Sequence, residues 1–217
     1  MEITCPHCHA VFSREPLPAI TPDSPEKKLL FSGELNKVTC PVCGKVSALD
    51  QIMTYRDAST DPAYIVYYMP LPEDRETEDL EHEVDAMATD VFSQKDEARP
   101  VVRLVFFLPD FLEKIAIHEL GYDDRLVEYA KLELFRNVKE PQLSRTQHRL
   151  LLDYSHSNEK NLFFLVFDRN TQKHCNVIQV EMEEFKALMR NAQEDENVRL
   201  ELEAAFPGCY VSADRLL

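Results

Sequence analysis

Cys5-Pro6-His7-Cys8 and Cys40-Pro41-Val42-Cys43-Gly44 are the two stretches around which this 217-residue chain is organised. Each C-x-x-C turn places two thiols on one tight bend, and two such turns facing each other form a tetrahedral set of four sulfur ligands. Thiolates in that geometry suit zinc. The spacing therefore predicts one Zn²⁺ held by Cys5, Cys8, Cys40 and Cys43.

The predicted site has the ligands of a structural zinc centre. Catalytic zinc usually has three protein ligands and an open fourth position, whereas four thiolates fill the shell. They also leave the metal centre with about two net negative charges, which makes it a poor Lewis acid. Residues 1–60 contain few large apolar side chains. A small domain of this kind needs a metal or another cross-link to stay folded, so we expect the zinc to stabilise the fold.

Other interpretations of the same cysteines are weaker. Cys-Pro-His-Cys also occurs as a redox motif, but there it follows a strand and opens a helix. Here four residues precede Cys5, and the residues after Cys8 lead to Pro16 and Pro18 as a strand and loop. No secretory signal is visible, so we expect a cytoplasmic protein with reduced thiols, which argues against disulfides. His7 and His9 are alternative ligands, although four cysteines already complete the set.

Charge and hydropathy bear on the partners. The net charge is −15, and residues 71–217 carry 18 basic against 31 acidic residues, a net charge of −13. Nucleic-acid binding needs basic surface to neutralise phosphates, so we expect no nucleic-acid partner. No apolar run approaches the ~20 residues that span a bilayer, so we expect no membrane association. An acidic surface favours a protein partner.

The remaining pattern predicts an α+β fold with two domains. Residues 1–70 form the zinc ribbon, in which Val46–Tyr55 and Ala63–Met69 are predicted to pair as two strands of a hairpin. The proline-rich stretch Pro70–Asp74 marks the boundary. Residues 71–217 form an acidic α+β domain with an antiparallel sheet. Its predicted elements are helices over about 77–92, 110–120 and 123–139, a strand meander over about 147–180, and C-terminal helices.

Two polar groups in the second domain resemble functional sites. Asp79, His82 and Asp85 fall at helical spacing and suggest a second metal site, but we favour the interpretation that they form the solvated acidic face of an amphipathic helix. Ser155 and His156 lie near Asp153 and suggest a hydrolase. Neighbouring residues of one turn do not form a catalytic triad by themselves, so we interpret them as turn residues.

The chain resembles the CpXC family, which is found mainly in bacteria and is named for two C-P-x-C motifs. Beyond the cysteines, the resemblance includes Leu30–Leu35, Tyr55–Asp57 with Tyr64–Pro70, Leu112–Ile115 and Gly121–Glu128, and so covers about residues 1–140. It implies a zinc ribbon joined to a further domain. It carries over four site residues, Cys5, Cys8, Cys40 and Cys43, and implies no particular reaction.

Two classes of function remain. The first is a non-catalytic protein-interaction or regulatory module with a structural zinc site, which needs no catalytic constellation. The second is an enzyme with its active site in residues 70–217 and the ribbon as a docking element or lid. An exposed apolar groove would favour the first class, and a deep pocket with convergent His, Asp and Glu side chains would favour the second.

Overall fold

A computed structural model describes residues 2–72, 74–93, 98–137 and 142–216. The chain forms two compact units, Met1–Leu108 and Pro109–Leu217. Both combine helices with small sheets, so the fold is α+β as predicted. Within the described residues, none of the helices combines the length and the apolar composition needed to cross a bilayer.

The N-terminal unit begins with two short hairpins, each carrying one cysteine motif. They are β1 (Glu2–Thr4) with β2 (Val11–Ser13), and β3 (Lys37–Thr39) with β4 (Val46–Ala48). The helix α1 (Pro25–Phe31) lies between them in sequence. It begins with proline in its first turn, where the missing N–H costs nothing. It ends before Gly33, whose φ of 71° suits glycine.

A mixed sheet completes this unit. Its strands are β5 (Met53–Asp57), β6 (Tyr64–Tyr68) and β7 (Val101–Val105). β5 and β6 form the predicted antiparallel hairpin. The predicted single strand over Val46–Tyr55 is wrong, because its first part pairs with β3 and its last part pairs with β6. The chain must therefore bend between the two sheets, where Gln51 is buried.

The sheet continues past the boundary that the sequence predicts at Pro70–Asp74. β7 pairs in parallel with β6, and α2 (Thr77–Ser93) lies in the connection between them. Parallel neighbours need a long crossover, which is usually helical. The compact units accordingly divide after Leu108, since β6, α2 and β7 form one β-α-β arrangement. Whether a separately folding domain ends near residue 70 stays a prediction.

The C-terminal unit packs helices against one face of an antiparallel sheet with the order β10-β9-β8. Its elements are α3 (Leu108–Glu119), α4 (Asp124–Asn137), β8 (His148–Leu152), β9 (Asn161–Asp168), β10 (His174–Glu181), α5 (Met182–Glu194), α6 (Glu196–Ala205) and a single 3-10 turn (Ala213–Leu216). Leu152, Phe164 and Ile178 share the inner face of the sheet. They pack with Val127 and Phe185 into the core of this unit.

A buried ionic cluster joins α3 to α4. Lys114 Nζ lies 2.9 Å from Asp124 Oδ2 and 3.1 Å from Glu128 Oε1. Lys131 Nζ lies 2.7 Å from Glu113 Oε2 and 2.9 Å from Glu128 Oε1. These five side chains are at most 4% exposed. Burying charges is costly unless they are paired and hydrogen-bonded, and here each charged group has a partner of opposite sign.

Two backbone groups complete the cluster. Glu113 accepts a hydrogen bond from the Leu152 N–H, and Glu128 Oε2 accepts one from the Ala213 N–H at 2.8 Å. Burial alone would raise the pKa of Glu128, but Lys114 and Lys131 outweigh it and lower that pKa. The cluster thus ties α3 and α4 to β8 and to the C-terminal 3-10 turn.

The cluster changes the buried face of α4. The sequence predicts a buried stripe of Val127, Ala130, Leu134 and Val138. Of these, Val127 is fully buried, Ala130 and Leu134 are half-buried, and Val138 lies outside the described residues. Glu128 and Lys131 are buried instead. A hydropathy pattern assigns charged residues to the surface. It therefore does not indicate a buried helix face on which opposite charges neutralise one another.

Candidate metal centre

The first cysteine turn is held by its own backbone. The Cys5 N–H donates to the carbonyl of Ala10, and the His9 N–H donates to the carbonyl of Cys5, both at 2.9 Å. β1 enters this turn and β2 leaves it. The bend therefore directs the side chains of Cys5 and Cys8 to the same side.

The second turn repeats the first. The Cys40 N–H donates to the carbonyl of Lys45, and the Gly44 N–H donates to the carbonyl of Cys40, again at 2.9 Å. The residue after the second cysteine has a positive φ in both turns, 60° at His9 and 69° at Gly44. Glycine takes that conformation without strain, whereas histidine takes it occasionally. The sequence indicates this backbone role for Gly44 but not for His9.

The two turns bring the four sulfur atoms together. Cys5 Sγ lies 3.7 Å from Cys43 Sγ, and Cys8 Sγ lies 3.7 Å from Cys40 Sγ. All four sulfurs lie within 4.8 Å of one another. Zinc–sulfur bonds of about 2.3 Å in a tetrahedron require sulfur–sulfur distances of about 3.8 Å. The arrangement therefore fits a metal ion, and it is too wide for a disulfide, whose sulfurs are about 2.05 Å apart.

The four thiols differ in exposure and in acidity. Cys5 and Cys40 are buried, whereas Cys8 and Cys43 lie at the surface. The backbone N–H of His7 lowers the pKa of Cys5 to about 6. The backbone N–H of Ala10 lowers the pKa of Cys8, but partial desolvation of its sulfur by the surrounding chain and the neighbouring sulfurs outweigh that bond and raise the pKa to about 12. Adjacent thiolates repel one another, so a cation between them would let all four sulfurs ionise.

The segments that carry the two turns also contact each other and share a small apolar core. Arg14 Nη2 donates to the carbonyl of Leu35 at 3.1 Å and links the two motif segments. Within the described stretch 2–48, the buried aliphatic side chains are Ile3, Ile20, Leu30 and Leu35. Ile20 also connects this stretch to β5 through a β-bridge, in which its N–H donates to the carbonyl of Thr54 at 2.8 Å. Domains with a core this small usually need a metal or another cross-link to stay folded.

The alternative interpretations of the cysteines gain no support from the structure. His7 and His9 do not belong to the group of metal-competent side chains that contains the four cysteines. The redox interpretation requires a helix that opens at Cys5. A turn and then β2 follow it instead, so no helix dipole acts on that thiol.

The two polar groups that the sequence singles out in the second predicted domain do not form the sites that they suggest. Asp153 Oδ2 and Ser155 Oγ lie 2.8 and 3.0 Å from the same ring nitrogen, Nδ1 of His156. A catalytic triad uses both ring nitrogens, so this is a turn motif on an exposed histidine. Among the described residues, Asp79, His82 and Asp85 do not gather into a metal-competent group. Asp85 pairs with Arg99 at 3.3 Å.

One feature of the C-terminal unit has no signal in the sequence. It is a cavity of about 360 Å³ between α4, β10 and α5. Its lining is mostly apolar and includes Leu134, Val180 and Leu188. These side chains are far apart in sequence and belong to three different elements. Periodicity predicts each element but not the gap that their packing leaves.

Comparison with known families gives one match. A family described as CpXC protein matches residues 3–131, which include both cysteine motifs, the mixed sheet, α3 and the first half of α4. Searches of curated proteins and of solved structures found no matching protein. Because the family match covers more than half of the 217 residues, the chain belongs to the CpXC family.

Proposed function

We propose that Cys5, Cys8, Cys40 and Cys43 bind one Zn²⁺ and that this ion stabilises the N-terminal hairpins. The observation that carries the proposal is the pair of 3.7 Å sulfur–sulfur distances, close to the edge of a zinc–thiolate tetrahedron. Four thiolates leave no open coordination position, which supports a structural ion. Such a site needs reduced thiols, and we propose that the protein acts in the cytoplasm, where thiols stay reduced.

Elemental analysis of protein purified without added metal tests the metal and its number. We expect one zinc per chain in the unmodified protein and almost none in Cys40→Ser. Cys175→Ser is the matched control, because Cys175 lies in β10 and should leave the zinc content unchanged. Iron at one ion per chain would contradict the identity of the metal, since tetrahedral thiolates also hold iron. A metal content near zero would contradict the site itself.

We propose further that the protein binds a protein partner and is not an enzyme. In the described part of the C-terminal unit, neither of two cavities, of about 360 and 500 Å³, has a histidine or a cysteine in its lining. Each lining contains two acidic residues, Glu133 and Glu184 in the smaller cavity and Asp123 and Glu203 in the larger one. Of these, Glu133 is already paired with Arg136 and Asp123 with Arg125, both at 2.7 Å. These linings give little support to the alternative of an active site in residues 70–217.

The charge distribution leads to a prediction about partners. Residues 71–217 carry a net charge of −13, so a phosphate backbone would meet repulsion over most of this surface. We expect no binding to duplex DNA, single strands or structured RNA in anisotropy titrations at physiological salt. A basic protein partner should instead associate at a rate that falls as salt rises. Micromolar nucleic-acid affinity that weakens steeply with salt would overturn this assignment.

A further inference from the structure

The edge strand β10 is open along its outer side. It lies at one end of the sheet order β10-β9-β8, and no described residue pairs with it except through β9. The opposite edge strand, β8, is partly covered, because its Leu152 N–H donates to the side chain of Glu113. β10 has eight residues and a bulge between His174 and Asn176, but from Val177 to Glu181 it contains neither a bulge nor proline, lysine or arginine, the features that usually protect an edge. It is therefore a template for a further strand.

The register shows which backbone groups of β10 are available. The Met182 N–H donates to the carbonyl of Lys160 at 2.8 Å, in the same register as the strand pairs that precede it. Hydrogen-bonded and non-bonded pairs alternate along an antiparallel ladder. The even-numbered residues thus bond β9, and Val177, Gln179 and Glu181 direct their N–H and C=O groups outward. The Val177 N–H donates to the side-chain oxygen of Asn176 at 2.8 Å, a local hydrogen bond that a new strand can displace.

The apolar cavity lies beside this edge. Val180 of β10 lines it together with Leu134 and Leu188, and its volume of about 360 Å³ is within the range of ligand pockets. Two acidic residues, Glu133 of α4 and Glu184 of α5, belong to the same lining. Val180 therefore belongs both to the open edge strand and to the lining of an apolar cavity that has acidic neighbours.

We propose that β10 binds an extended segment of a protein partner, which adds a strand to the sheet and places an apolar side chain in the cavity. This inference rests on the proposed role in protein binding and locates it. Strand addition takes its affinity from backbone hydrogen bonds and its specificity from pockets for alternate side chains. Glu133 is already paired with Arg136 at 2.7 Å, so Glu184 of the same lining selects lysine or arginine beside the apolar residue.

A second copy of this chain fits the edge less well. An antiparallel pair of β10 strands would satisfy the outward backbone groups. However, each copy would bring its own acidic residues to the shared edge, in a chain whose net charge is already −15. Like charges brought together at an interface oppose association. The observations therefore favour a basic partner strand over self-association.

The test uses the full-length, zinc-loaded protein and a fluorescein-labelled synthetic peptide in which lysine alternates with valine and isoleucine. Gln179→Pro removes one outward N–H without touching the β9 ladder, and Gln179→Thr is its control because it changes the side chain but keeps the N–H. Glu184→Lys reverses a charge in the cavity lining. Glu183→Lys is its control, since it makes the same change one residue away and outside the lining.

We expect the peptide to bind, and each test variant to weaken binding about tenfold, the cost of one good hydrogen bond or charge contact. The two control variants and a peptide with glutamate in place of lysine distinguish this site from general charge attraction. Equal affinity of all four variants would overturn the proposal. So would the absence of peptide binding, or a dimer by light scattering that Gln179→Pro dissociates. If Gln179→Pro does not fold, the comparison of Glu184→Lys with Glu183→Lys still tests the proposal.

The outcome is separable from that of the proposed function. Zinc content is measured on the same samples. One zinc per chain without peptide binding would refute the β10 site and leave the metal site standing. A natural protein partner whose affinity is insensitive to Gln179→Pro and Glu184→Lys would support protein binding but place it elsewhere.

Discussion

Removing the metal is expected to unfold the two cysteine hairpins while the C-terminal unit stays folded. All four sulfur ligands lie between residues 5 and 43, and the described stretch 2–48 has a very small aliphatic core. Binding of a structural zinc supplies on the order of 10 kcal/mol of folding free energy, so its loss should exceed what that core provides. The C-terminal unit has its own core of apolar side chains and contains none of these ligands.

Hydrogen exchange with and without a chelator measures this effect region by region. Protection should disappear in β1 to β4 and persist in β8 to β10. The Cys40→Ser variant should reproduce the loss without a chelator, and Cys175→Ser should not. The behaviour of the mixed sheet locates the domain boundary. Ile20 is hydrogen-bonded to β5, so unfolding of the cysteine hairpins could extend into this sheet. Loss of protection in β5 to β7 as well would place the boundary near Leu108 instead of residue 70. Loss throughout the chain would contradict independent folding.

Lys131→Met is expected to destabilise the C-terminal unit by about 3–5 kcal/mol, the usual cost of removing one partner from a buried ion pair. The ammonium group of Lys131 contacts Glu113 and Glu128, and all three side chains are almost inaccessible to water. Methionine has a similar length and fills the same space. The loss would therefore come from two carboxylates left in the interior with less compensating charge.

Arg136→Met is the matched control on the same helix. Arg136 forms an ion pair with Glu133 at 2.7 Å, but 55% of its side chain is exposed. Exposed pairs contribute about 0–1 kcal/mol, so this change should alter the free energy of unfolding little. Urea unfolding followed by far-UV circular dichroism compares the two variants with the parent protein. Equal effects of the two substitutions would mean that the buried cluster carries no special stability.

The sequence predicts the candidate site well because the site is local. Each C-P-x-C motif forms its own turn through hydrogen bonds between residues four and five positions apart, so spacing alone indicates where the thiols lie. That the two turns face each other follows from ligand chemistry, since two thiols per turn do not complete a tetrahedron. The left-handed conformation of His9 is the part that the pattern does not indicate, because glycine is the usual signal for it.

Features that depend on pairing between residues far apart in the chain are harder to predict from the sequence. The pairing of β7 with β6 joins segments on either side of the predicted boundary, and a proline-rich stretch gives no sign of it. The buried charges of Glu128 and Lys131 have ordinary surface spacing on a helix. Their partners Glu113 and Lys114 lie on α3, so composition does not show that the charges neutralise one another. The interior of the C-terminal unit is therefore where the sequence is least informative.

The central claim is that four thiolates hold one zinc ion. X-ray absorption at the zinc edge, on protein purified without added metal, tests it most directly. We predict a shell of four sulfur atoms at about 2.3 Å, with no nitrogen or oxygen in the first shell. A shell containing nitrogen or oxygen would mean that a histidine or water replaces a cysteine. Protein that contains no zinc to measure would contradict the claim outright.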